Sequence, residues 1–364
     1  MRKIISALTA FITLITGSVY NKNIAYSSDE QAKEQIKIMA IGDSITDGYG
    51  VAGSYRKYLY NELSKKGYNI DMVGAKGNNM LVEFNDPETG ESFMYDDDNT
   101  GYSGYAIKEY PGRNGILETL KSTNCLETCN PDIVILQIGT NNIIDNHDRD
   151  MSYNDAKELI DYILDNISDD SALFVTTIPD VDPNRPEVYS WFSNYRHSAD
   201  WQINYSDEEA EESIARALNI YNADILAYVG HLMTNAALRN LDEETGDLTS
   251  SDQSKAPYVR PGYISNVIID IKSQLMDGVH PNNKGYKLMG EYWADTIDSY
   301  LNNTDTDSET YQVADLVKLQ RYILGKYYNV TDHFVSRYDV NKDDSVDVFD
   351  VIALRKKLIT DSSK

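Results

Sequence analysis

Short apolar runs that alternate with helix-length segments constrain this chain more than any other feature of its sequence. Residues 36–41 are apolar except for Lys37 and stop at Gly42. A run this short suits a strand covered on both faces rather than a helix. Residues 55–66 then read as a helix, and Gly67 follows where a helix C-cap favours glycine. Residues 68–73, ending before Gly74, read as a second strand. Residues 132–138 and 172–178 read as two more, with a helical segment at 153–167 between them. The alternation predicts a doubly wound α/β domain built on a parallel sheet, with ligands bound beyond the carboxyl ends of the strands. Gly42-Asp43-Ser44 and Gly139-Thr140-Asn141 fall at two of those ends.

Two long polar regions, 76–99 and 180–265, break the alternation and read as insertions or loops over the strand ends. The second holds Trp191, Phe192, Tyr195, Trp201, Tyr205 and Tyr258. These aromatics suit either a sugar-binding groove or a small core of the insertion's own. At 364 residues the chain has room for one large domain, 36–300, and a smaller module, 301–364.

A formal net charge of -25, from 58 acidic and 33 basic residues, excludes non-specific attraction to nucleic acid or to an anionic membrane. Residues 1–26 have the character of a secretory signal. Arg2 and Lys3 form the basic end, residues 4–19 the apolar stretch, and Ala25 is a candidate last residue before cleavage. The alternative is an uncleaved anchor, for which the apolar stretch is short. The mature protein is therefore expected to be extracellular and free of the membrane. Two cysteines occur, Cys125 and Cys129. They either close a small local disulfide or remain free, and without a nearby His pair they make a poor zinc site.

A serine hydroxyl is a weak nucleophile at neutral pH, and needs an imidazole to take its proton and an acid to orient that imidazole. Of five histidines, only His280 has such a setting, in Asp277-Gly278-Val279-His280-Pro281. His147, His197, His231 and His333 read as surface or structural residues. Ser44 follows directly on the first strand, so its own N–H can point into the strand-end crevice. Asp43 reads as a backbone-bonding residue of that turn, leaving Asp277 as the orienting acid.

With these blocks in this order the chain resembles the SGNH, or GDSL, hydrolases. The resemblance implies a flavodoxin-like three-layer α/β/α fold and a catalytic set of Ser44, His280 and Asp277. It also implies an oxyanion hole formed by Ser44 N–H, Gly104 N–H and the side-chain amide of Asn141, with Gly74 as the alternative glycine. Gly139-Thr140-Asn141-Asn142 departs from the family's Gly-x-Asn-Asp at its last residue, which bears on the local turn. No cofactor is implied for catalysis.

Beyond residue 301 the composition turns polar and acidic, and residues 313–324 align with 348–359, apolar on apolar at helical spacing. Asp339, Asn341, Asp343, Ser345, Asp347 and Asp350 occupy positions 1, 3, 5, 7, 9 and 12 of a loop suited to calcium, with Asp344 where glycine is usual. The duplicated loop and helix resemble a dockerin, a small all-α module that plugs enzymes into the cohesin of a scaffoldin. The first copy, with Asp305, Asp307, Glu309 and Asp315, is one residue short and lacks its glycine. The resemblance implies cohesin contacts at Val348, Phe349, Arg355 and Lys356. Together these readings lead to a secreted, cellulosome-associated esterase that deacetylates plant polysaccharide, acetylated xylan foremost. The alternatives are a lipase, a pectin or small-ester esterase, and a catalytically idle scaffold-associated protein.

Overall fold

The computed structural model describes residues 35–87, 89–238 and 257–302, and, nearer the C-terminus, 316, 319–320, 322–323, 337–342 and 345–361. The expected signal, 1–26, and the first acidic repeat at Asp305, Asp307, Glu309 and Asp315 lie outside the described residues, as do Asp343 and Asp344.

In chain order, β1 (Gln35–Gly42), α1 (Ser44–Asp47), α2 (Arg56–Lys65) and β2 (Asn69–Val73) come first. A hairpin of β3 (Leu81–Asn85) and β4 (Ser92–Asp96) leads to the two-residue β5 (Thr100–Gly101). Next come α3 (Ile116–Thr123), α4 (Cys125–Cys129), β6 (Ile133–Gln137), α5 (Thr140–Ile144), α6 (Arg149–Asn166) and β7 (Ala172–Thr176). A 3-10 turn, Tyr189–Phe192, and α7 (Ser193–Arg196) precede α8 (Asp207–Leu238), β8 (Tyr258–Gly262), α9 (Ile271–Gln274) and α10 (Asn283–Leu301).

The expected parallel sheet forms with strand order β2-β1-β6-β7-β8, and β5 pairs with the end of β1. Every pairing within it is parallel. Successive side chains of a strand point to opposite faces, and here both faces are covered. Met39, Ile41, Val134, Leu136, Leu173 and Val175 join one core with residues of α3, α6 and α8. Ile38, Ala40, Ile133, Ile135, Ala172 and Phe174 join the other, with residues of α2 and α10, including the fully buried Trp293. Each fully buried aliphatic side chain contributes roughly 1.5–3 kcal/mol, so this double covering explains why β1, β6 and β7 read as largely apolar runs. The result is the three-layer α/β/α arrangement.

The region 180–265 is not the loop insertion expected from its polarity. It supplies α8, which covers one face of the sheet, and β8, which forms its edge. Its aromatics do not form a separate core. Phe192 and Tyr195 are buried in the core that α8 shares with the sheet, and Tyr258 packs against the opposite one. Region 76–99 likewise contains the β3-β4 hairpin. Near the C-terminus, α11 (Val348–Asp361) contributes Leu354 to a small cluster with Leu319 and Tyr338.

Register places the site. Gly42 pairs with Gln137 on β6 and with Gly101 on β5. Three strands thus end on one row, and the segments carrying Ser44, Asn141 and Gly104 all leave the sheet there.

Candidate active site

The Ser44 turn begins with a close approach. A Cβ at Gly42 would lie 2.2 Å from Gln137 O and 2.4 Å from Thr46 Oγ1. Asp43 then caps α1 by accepting from Ile45 N at 3.0 Å. The end of α1 is gripped by the buried Arg56, which donates through Nε to Thr46 O at 3.0 Å and through Nη2 to Asp47 O at 3.3 Å. Ser44 is thereby held on a short, tied-down helix at the end of β1.

His280 lies on the segment between α9 and α10. Its Nε2 lies 2.8 Å from Ser44 Oγ, and its Nδ1 lies 2.7 Å from Asp277 Oδ2. The second Asp277 oxygen, Oδ1, accepts from Val279 N at 2.9 Å and from His280 N at 2.8 Å. An ionised carboxylate only accepts, so Nδ1 carries the proton and Nε2 is left to accept from the serine hydroxyl. Burial alone would push Asp277 up, but the His280 ring and the two backbone N–H groups outweigh it and hold the carboxyl below its ordinary value. Asp277 reaches both ring and backbone because Gly278 takes φ +100°, where a Cβ would lie 2.4 Å from Asp182 O.

Asn141 lies at the start of α5 and donates through Nδ2 to Tyr105 O at 2.8 Å. The structure therefore brings Asn141 against the loop that holds Gly104. Gly74 instead abuts the backbone of Asn99 and accepts from Cys129 Sγ at 3.8 Å. Asn142, standing where the family has an acid, is fully buried; its Oδ1 accepts from Ile107 N at 3.2 Å and its Nδ2 donates to Ser152 Oγ at 3.4 Å. The amide thus keeps an acceptor for the turn that the departure from the family pattern placed in question.

Three features go beyond the sequence reading, which took Asp43 only as a turn residue and left Trp191 between a groove and a core. Asp43 is completely buried, and burial pushes its carboxyl up to about 6, against the pull of Ile45 N–H, the nearby His280 and Thr140. Tyr49 lies against the His280 ring at 4.5 Å between centroids, and Trp191 meets it edge-on at 6.0 Å. Both aromatics are substantially exposed, so they form the rim of the crevice. Ion pairs at Asp47 and Arg113 flank the Gly104 loop. Asp43 and Asp47 carried a sequence signal, their place in the same short motif as Ser44.

The remaining candidates lie elsewhere. His147 stacks on Tyr110 at 4.1 Å, His197 on Trp201 at 4.3 Å, and His231 faces Tyr228; His333 lies outside the described residues. Cys125 and Cys129 are free thiols on α4. In the C-terminal loop, buried Asp350 accepts from Asn341 N at 3.0 Å and from Asp347 N at 2.8 Å, closing the loop on its twelfth-position carboxylate. Among the described residues no group of three or more His, Cys, Asp or Glu is placed to hold a metal ion. No described helix is long and apolar enough to cross a membrane.

Comparison with known proteins adds lineage to this geometry. The chain is 33% identical over 336 residues to a multidomain esterase of Ruminococcus flavefaciens, a match covering 90% of this chain but only 35% of that relative. Among solved structures it is similar to a family 3 carbohydrate esterase of Clostridium thermocellum, with 26% identity and a TM-score of 0.45 over 74% of this chain and 100% of that one. A family 3 carbohydrate esterase of Talaromyces cellulolyticus is similar at 18% identity and a TM-score of 0.43, over 74% and 99% of the two chains. Residues 38–293, spanning β1 to α10 and every candidate catalytic residue, match the GDSL-like lipase/acylhydrolase family, and the chain belongs to that family.

Proposed function

We propose that this protein is a secreted serine esterase that removes acetyl groups from plant cell-wall polysaccharide, acetylated xylan foremost. The observation that carries the esterase reading is the unbroken chain from Ser44 Oγ through His280 to Asp277, at 2.8 and 2.7 Å. His280 Nε2 takes the hydroxyl proton as Ser44 Oγ attacks the acetyl carbonyl, giving a tetrahedral oxyanion. The N–H groups of Ser44 and Gly104 and the Asn141 amide receive that oxyanion. Asn141 uses one N–H on Tyr105 O, and an amide nitrogen carries two. Collapse expels the sugar hydroxyl, protonated by His280. Water, deprotonated by the same imidazole, then attacks the acetyl-enzyme and releases acetate.

The carbohydrate reading rests on two further observations. Exposed Tyr49 and Trp191 beside His280 offer aromatic surface to a sugar ring. The C-terminal repeat resembles a dockerin, which would bring the enzyme to insoluble polymer through a cohesin. Asp339, Asn341, Asp343, Ser345, Asp347 and Asp350 would hold calcium there. Val348, Phe349 and Ile352 present exposed apolar surface on α11, and Arg355 and Lys356 follow on the same helix as further cohesin contacts. The test is acetate release from acetylated xylan, acetylated pectin and p-nitrophenyl acetate by wild type and Ser44→Ala. Xylan is expected to be turned over fastest by the wild type and not at all by the variant. Equal rates in both proteins would refute the esterase reading, and faster release from pectin would refute the xylan assignment.

A further inference from the structure

The loop carrying Gly104 is held on both flanks by ion pairs that take no part in the Ser44-His280-Asp277 chain. On one flank Asp47, the last residue of α1, accepts through Oδ2 from Ser103 N at 3.2 Å and from Ser103 Oγ at 2.6 Å. Its Oδ1 pairs with Lys76 Nζ, which also donates to Gly101 O at 2.9 Å. On the other flank Arg113 Nη1 donates to Gly104 O at 3.1 Å. The rest of that guanidinium grips Asp145 with two bonds of 2.7 Å, from Nε and Nη2. Asp145 directly follows α5, the helix that carries Asn141, and its Oδ2 also accepts from Tyr110 OH at 3.0 Å.

One flank is thus anchored to the nucleophile's own helix and the other to the helix of the amide donor. The peptide that bears the Gly104 N–H lies between them. Gly104 takes φ +81°, and an added Cβ would meet only Arg113 Nη1, at 3.7 Å. Space does not demand glycine there; the backbone conformation does, and external bonds hold it. One group in each pair is held in its charged form. Burial alone would raise Asp47, but the bonds from Lys76 and Ser103 hold it below its ordinary value, and the bond from Asp145 raises Arg113.

An oxyanion donor is effective when it already points to where charge will develop, because nothing then reorganises during reaction. Misplacement of a reacting or stabilising group by about 1 Å costs on the order of 100-fold in rate. We propose that Asp47-Lys76 and Arg113-Asp145 are positioning pairs that fix the Gly104 N–H on the oxyanion, setting the rate of turnover rather than the affinity for substrate. This inference rests on the esterase reading above and adds to it the residues that tune its transition state.

The test uses the full-length protein with p-nitrophenyl acetate as substrate and phenylboronic acid as a tetrahedral-adduct probe. In Asp47→Asn and Arg113→Gln, kcat falls roughly 10- to 100-fold, KM stays within about threefold, and the boronate inhibition constant rises in proportion to the fall in kcat. Arg113→Lys, which keeps the charge without the fork, recovers part of the loss. Because both pairs act through one N–H, the double variant loses no more than about 1,000-fold, the upper range for one donor, rather than the product of the single losses. Ser103→Ala leaves both ion pairs in place and still lowers kcat, which keeps the test decisive if a charge variant misfolds. Wild-type kcat in the charge variants and in Ser103→Ala, or a fall in kcat with unchanged boronate affinity, would overturn the inference while leaving the esterase reading intact. An inactive wild type would overturn both.

Discussion

A single Cβ at residue 278 would force apart the turn on which the acid and base of the triad both depend. Gly278→Ala must either abandon φ +100° or press into Asp182 O, and strain of this kind costs about 1–3 kcal/mol. Loss of kcat together with a lowered melting temperature is the expected result. Asp277→Asn is expected to act first on the chemistry. It removes the acceptor that keeps the proton on Nδ1, and turnover should fall by about 10⁴. Asp43 links the site to pH. Its carboxyl titrates near 6 in the folded protein, against an ordinary value of 3.8. Between those values the folded chain keeps a proton that the unfolded chain has released, so stability falls as pH rises through this window and is level above it. Asp43→Asn removes that penalty, at most roughly 3 kcal/mol. Its melting temperature should exceed that of wild type at pH 7.5 and match it near pH 3.5; a gain of the same size at both pH values would contradict the account.

At the scale of elements, α10 and α2 meet through glycine. A Cβ at Gly290 would lie 2.5 Å from Tyr58 Cβ and 2.7 Å from Tyr55 O. Gly290→Ala should therefore push the helices apart and destabilise the protein by about 1–3 kcal/mol, measured by denaturant unfolding; an unchanged midpoint would show the contact to be slack. The strands β1, β6 and β7 were legible as largely apolar runs because both of their faces are buried, and β2, at the sheet's other edge, as an alternating one with Ile70 and Met72 inward. β8 was not, because it is an edge strand containing Arg260 and Pro261, and an edge tolerates both. α8 was missed in a polar region although its start is signalled. Ser206 Oγ accepts from Glu209 N at 3.2 Å while Glu209 Oε2 accepts from Ser206 N at 2.8 Å, a reciprocal cap written in the sequence as Ser206-Asp207-Glu208-Glu209. Ser44, Asp277 and His280 were legible because their chemistry is local to short motifs. The pairing of Arg113 with Asp145, and the place of Trp191 beside His280, depend on folding that brings distant segments together, and no spacing encodes it.

At the scale of the whole molecule, chemistry and the proposed delivery fall to different parts of the chain. The hydrogen-bonded triad is assembled from side chains of residues 44–280, while the loop proposed to hold calcium belongs to residues 339–350. A chelator should abolish capture by an immobilised cohesin and leave hydrolysis of p-nitrophenyl acetate within about twofold of its starting rate. Loss of both together would argue against independent roles, and unchanged cohesin binding would defeat metal-dependent docking. The net charge of -25 also sets the expected partner: a neutral polymer meets no repulsion from this surface, whereas de-esterified pectin, itself an anion, does. Everything in the account returns to Ser44 as nucleophile. Its most direct test is covalent capture with a phosphonate ester, followed by peptide mass spectrometry of wild type and Ser44→Ala. The account predicts one phosphonyl group per chain, on Ser44, appearing in step with loss of acetate release and absent from the variant. Acetate release that persists with Ser44 fully modified, or a label on any other residue that tracks inactivation, would contradict it.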